Sequence, residues 1–122
     1  MKNVLILGLM LFAVTASAQE KLSEIQKKQA EYFASEAVKY FELDDSKKEA
    51  IYEAKLNLMV AQKEMNLKKK NGEIDESNIQ AYRKQNLHPK TQKLMRAVEV
   101  KSWKELNEFT KKIQPEINKI NS

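Results

Sequence analysis

After position 18 the chain holds a single glycine, Gly72, and two prolines, Pro89 and Pro115, in a sequence of 122 residues. Tight hairpins depend on residues of that kind, so a strand-rich fold lacks its punctuation. The expected class is all-α, a small bundle or hairpin of about four helices with the second one long and two-sided. Cysteine is absent, which removes disulfides and thiol chemistry. With 42% hydrophobic and 32% charged residues, the chain can bury one modest core.

The first 18 residues have another character. Lys2 and Asn3 precede an apolar run over residues 4–14, and Ala16 and Ala18 place small side chains where a signal peptidase reads them. The expectation is a secretory leader over residues 1–18 and one helical domain over residues 19–122, periplasmic or secreted. A run of that length is too short to span a bilayer, and Gln19 stands where a lipoprotein would need cysteine. No transmembrane or lipid anchor is therefore expected.

Apolar spacing lays out the helices. Over residues 20–41, Leu22, Ile25, Tyr32, Phe33, Ala37, Tyr40 and Phe41 recur at intervals of three and four, and residues 42–45 interrupt them. Ser46 and Glu49 form the pattern of a capping box that would open the second helix, and Lys68 to Lys70 followed by Asn71 and Gly72 would close it. This helix carries two apolar strips. One contains Ala50, Ile51, Ala54, Leu58, Ala61 and Met65; the other contains Tyr52, Leu56, Met59, Val60 and Leu67. Either the helix is covered on both sides within the chain, or the second strip meets a partner or a second copy.

Ser77 with Gln80 predicts the start of a third helix that stops near Leu87, and Pro89 suits the first turn of a fourth. Ser102 and Glu105 repeat the capping pattern. Because Trp103, Leu106, Phe109, Ile113, Ile117 and Ile120 prolong the apolar face, a helix running through Ser102 is favoured over a new one. A kink or break is expected near Gln114, since Pro115 would cost about 3 kcal/mol inside a straight helix.

Reactive constellations are lacking. His88 is the sole histidine, so nucleophile–base pairs and closed zinc sites cannot be assembled from the usual residues. Asp44, Asp45, Asp75 and Glu76 lie near expected helix starts, where negative charge is favoured. One glycine cannot build a phosphate-binding loop. Neither catalysis nor a cofactor nor a metal site is expected, and His88 reads as a surface residue.

Charge is unevenly distributed. Residues 19–67 hold 8 basic and 10 acidic side chains, whereas residues 68–122 hold 13 and 7. Residues 77–98 contain no acid, yet include Tyr82, Arg83, Lys84, Lys90, Lys93 and Arg96. Such a window either keeps a face solvated or attracts acidic partners. Nucleic acid is not an expected target, because the chain is read as exported and lacks an interleaved stacking platform.

A leader, a cysteine-free chain of this length and long capped helices resemble the Spy/CpxP-like group of periplasmic chaperones and stress adaptors. That group carries an L-T-x-x-Q motif, usually twice. Its nearest counterparts here are Leu43-Asp44-Asp45-Ser46-Lys47, where the leucine is kept, and the capping pattern at residues 100–105. The resemblance implies a helical, dimeric cradle that shields unfolded envelope proteins without ATP. The functional expectation is therefore a chaperone-like interaction protein for unfolded or acidic envelope proteins, with Tyr82, Arg83, Lys84, Lys90, Lys93, Arg96, Tyr52, Leu56 and Met59 as partner-binding residues and a homodimer as an open alternative. A metal-ion or small-anion sensor or carrier, and a structural protein, are the alternatives from other classes.

Overall fold

The computed structural model describes residues 22–120, so the expected leader lies outside the described residues. Among the described residues five α-helices follow one another: α1 (Glu24–Tyr40), α2 (Lys48–Lys70), α3 (Ile79–Asn86), α4 (His88–Ala97) and α5 (Trp103–Asn118), with a 3-10 turn at Asp45–Lys47 before α2. The described residues contain no strand, and the all-α expectation holds. None of these helices is long and apolar enough to cross a membrane.

Helix α2 forms the centre. It packs against α1 on one side and α4 on the other, while α5 lies against α1 and α3 against α4. Its two apolar strips account for this placement. Ile51, Leu58, Ala61 and Met65 enter the main core with Phe33, Ala37, Leu94, Leu106 and Phe109. Leu56, from the second strip, is buried with Leu22 and Ala30 in a smaller cluster that Tyr52, Met59 and Val60 pack against. The α1–α5 contact is aromatic: Phe33 meets Phe109 edge-on at 5.1 Å, and Phe41 and Tyr40 also lie 5.1 Å from the Phe109 ring.

Several helix boundaries differ from expectation. Helix α1 is capped by Ser23, whose hydroxyl accepts from the Gln26 N–H while the Gln26 side chain accepts from the Ser23 N–H, a reciprocal box that apolar spacing does not reveal. Ser46 does not open α2. Asp44 takes the capping role, its carboxylate accepting the Ser46 N–H at 2.9 Å and starting the 3-10 turn that leads into Lys48. The Ser77–Gln80 box does not form either. Asp75 accepts from both the backbone and the hydroxyl of Ser77, and this local turn delays α3 to Ile79. These hydrogen bonds hold the exposed Asp44 and Asp75 carboxyls below the usual carboxylate range.

Helix ends explain the remaining differences. At the end of α2, Gly72 takes φ +78°, and the Glu73 and Gly72 N–H groups donate to the Lys68 and Lys69 carbonyls at 2.9 and 3.2 Å. The same cap closes α1 and α4, with glutamate at the left-handed position: Glu42 at φ 54° and Glu99 at φ 60°. Leu43 then donates to the Val38 carbonyl, and Val100 to that of Met95, as both side chains pack on the core. The favoured continuity through Ser102 is therefore overturned. The chain reverses at Glu99, and Ser102 caps a new helix by accepting the Glu105 N–H.

The break expected near Gln114 is absent, because α5 runs through Pro115 to Asn118. Pro115 and Lys111 are exposed, so the carbonyl that loses its donor is not buried in the core. Phe109, Ile113 and Ile117 hold the inner face on both sides of the proline, and Gln29 of α1 donates to the Ile117 carbonyl at 3.4 Å.

Candidate binding groove

The α2–α4 side is not filled to the surface. Leu58, Gln62 and Met65 of α2 face Thr91, Gln92 and Met95 of α4 across a groove of about 630 Å³. Arg83 of α3, Leu87, His88 and Trp103 complete its walls. The α3–α4 junction makes this shape possible. Leu87 alone separates the two helices, donating to the Arg83 carbonyl at 2.8 Å and accepting from Thr91 at 2.9 Å. Pro89 in the first turn of α4 has no N–H with which to continue α3. Leu87 is buried, so the corner is anchored while Arg83 and His88 stay at the groove.

Trp103 is a correction to the apolar face read along α5. It is the first residue of that helix, and 57% of its surface is exposed at the groove wall. No sequence signal separated it from Leu106 and Phe109, since its place follows from the turn at Glu99. Met65, Met95 and Leu58 were legible as apolar helix positions, but their sharing a groove with Arg83 depends on how α3 and α4 fold back.

The acid-free window divides on folding. Arg83 lines the groove, and its Nε is buried with no hydrogen-bond partner among the described residues. Lys84, Lys90, Lys93 and Arg96 do not line it. At about 100° per residue, Arg96 falls beside the groove face of α4, whereas Lys90 and Lys93 fall on its far side. Tyr82 is half-buried against the core, with the Lys68 Nζ 5.6 Å from its ring centre. Among the described residues none of the five basic side chains at 83, 84, 90, 93 and 96 is held in an ion pair.

The second-strip residues lie elsewhere. Leu56 is 1% exposed inside the chain and offers no surface to a partner. Tyr52 lines a separate polar depression with Glu31, Asp45 and Glu49, and burial together with the Glu31 charge raises its hydroxyl above the ordinary value. Met59 borders a shallow hollow with Gln26 and Lys70. The nine expected partner-binding residues thus do not form one surface; Arg83 alone among them lines the groove.

Chemically, the groove offers apolar and thioether surface, two amide side chains, one fixed cation and, among the described residues, no acid. Among the described residues no three histidine, aspartate or glutamate side chains converge to hold a metal. No family model matches this chain, and neither a curated protein nor a solved structure matches it.

Proposed function

We propose that this chain is an exported helical protein of the bacterial envelope that holds segments of unfolded or acidic proteins, without ATP and without a chemical step. The observation that carries the reading is the apolar groove between α2 and α4, which has Arg83 in its wall and, among the described residues, no acidic lining residue. Open apolar surface retains exposed hydrophobic segments, and Arg83 in its wall, with Arg96 beside it, draws acidic ones in. Met65 and Met95 suit varied clients because thioether side chains adapt to irregular surfaces. The resemblance to Spy/CpxP-like chaperones supports the same reading, since both motif counterparts coincide with helix junctions, at Leu43–Asp44 and at Val100 to Ser102.

The test is suppression of aggregation of an unfolded model protein by stoichiometric amounts of the mature chain. Gln92→Glu, an isosteric change at an exposed groove position, is expected to weaken suppression of an acidic client while leaving the helical circular dichroism unchanged. A protein that suppresses nothing, or a variant indistinguishable from the parent, would remove the reading.

A further inference from the structure

The groove's one fixed cation has an environment that its neighbours in the basic window lack. Arg83 is half-buried, its Nε is shielded from solvent, and no acceptor among the described residues satisfies it. That shielding also keeps a ligand from Nε, but among the described residues no hydrogen bond or ion pair holds the rest of the guanidinium, which lines the groove, and a guanidinium is best matched by a carboxylate, which it binds through two parallel hydrogen bonds. It shares the groove with the Leu58, Met65 and Met95 side chains and the exposed Trp103 ring. A cation against an apolar floor is complementary to a ligand carrying a carboxylate close to a large apolar side chain.

We infer that Arg83 is the specificity-determining residue of the groove, and that its occupant is a peptide segment in which a glutamate or aspartate stands near a large apolar residue. The inference rests on the client-holding function proposed above and narrows it. The acid is read at Arg83, the apolar residue is seated between α2 and α4, and Lys90 and Lys93 on the far side of α4 take no part. Charge complementarity selects this occupant, since among the described residues no acid lines the groove and none is ion-paired with Arg83.

Trp103 provides the readout, being the only tryptophan of the chain and a wall of the groove. Two blocked peptides of about ten residues would be titrated against the mature protein, alike except that one has glutamate and the other glutamine near a leucine. The glutamate peptide is expected to shift Trp103 emission to the blue and to bind about tenfold more tightly. Arg83→Gln should erase that difference while keeping the weaker affinity, and the pair Lys90→Gln and Lys93→Gln should preserve it. Equal binding of both peptides, or a preference lost with the lysines instead, overturns the inference, and so does a Trp103 shift produced by decanoate or by self-association in place of peptide. The peptide comparison in the unmodified protein stands even if Arg83→Gln fails to fold. If the preference is absent but aggregation suppression and its sensitivity to Gln92→Glu persist, only the role of Arg83 falls; if suppression is absent too, both readings fall.

Discussion

The two sides of α2 are built from similar apolar residues and end differently. Toward α1, Leu56 closes against Leu22 and Ala30, and the half-buried Tyr52, Met59 and Val60 overlie the joint. Toward α4, Leu58 and Met65 reach the core yet also border the groove. The cause lies in the partner helices. Helix α1 is a 17-residue rod that runs alongside α2, whereas the chain on the other side is split into an 8-residue and a 10-residue helix around Leu87. A straight rod seals a strip; a broken one leaves an angle, and the angle is where Arg83 and Trp103 meet the apolar floor.

That contrast can be broken most directly by removing side chains from each side. Leu56→Ala deletes a fully enclosed side chain and should cost about 3 kcal/mol in urea unfolding, the usual range for a buried leucine. Trp103→Ala, although it removes more atoms, should change stability by less than about 0.5 kcal/mol, because its ring already faces water. Equal losses at the two positions would mean that the groove is closed in solution.

Lys55 offers a second handle, smaller in size and opposite in sign. It emerges from α2 on the α1 side with its Nζ 4.5 Å from the centre of the Phe33 ring, and burial pushes its ammonium down to about 8 from 10.5. Between those two values the unfolded chain carries the proton and the folded one does not, so stability rises as pH climbs through this window. Below it the folded state bears the whole penalty, reduced by the attraction of the ring. Lys55→Met should therefore stabilise the protein at pH 7 by about 2 kcal/mol and abolish the rise in stability between pH 8 and pH 10. A variant no more stable than its parent would show that Lys55 reaches water.

Much of the fold is legible in the residues, and for a physical reason. The two strips of α2, the Gly72 cap and the inner face of α5 from Leu106 to Ile117 are local patterns whose burial follows from helical spacing alone. The site is less so. Arg83 stands out by charge, but nothing separates it from Lys90 or Lys93 until α3 folds back at Leu87. Asp44 and Asp75 accept the N–H groups of Ser46 and Ser77 themselves, donors that the expected capping boxes would have left to Glu49 and Gln80, since a carboxylate competes well for a nearby N–H. The turn before α5 is concealed because glutamate, not glycine, occupies the left-handed position.

Glu42 and Glu99 accordingly give the finest test, one on each side of the molecule. Both hold φ near +60° at the end of a helix, a conformation that costs a residue with a Cβ about 1–2 kcal/mol. Glycine would remove that strain but lose more backbone freedom on folding, roughly 0.5–1 kcal/mol, so each Glu→Gly substitution should stabilise by about 0.5–1 kcal/mol. Both caps are followed by an apolar residue packed on the core, Leu43 after Glu42 and Val100 after Glu99, so the packing that favours the turn is the same in each. Their consequences separate at the groove. Glu99 precedes Trp103 by one turn of chain, and fixing that turn more firmly should narrow the spread of the Trp103 fluorescence lifetime, whereas Glu42→Gly, at the α1 end, should raise the unfolding midpoint without altering that emission. A shared response of Trp103 to both substitutions would mean that the sealed and open sides move as one, and the contrast between them would be static in shape only.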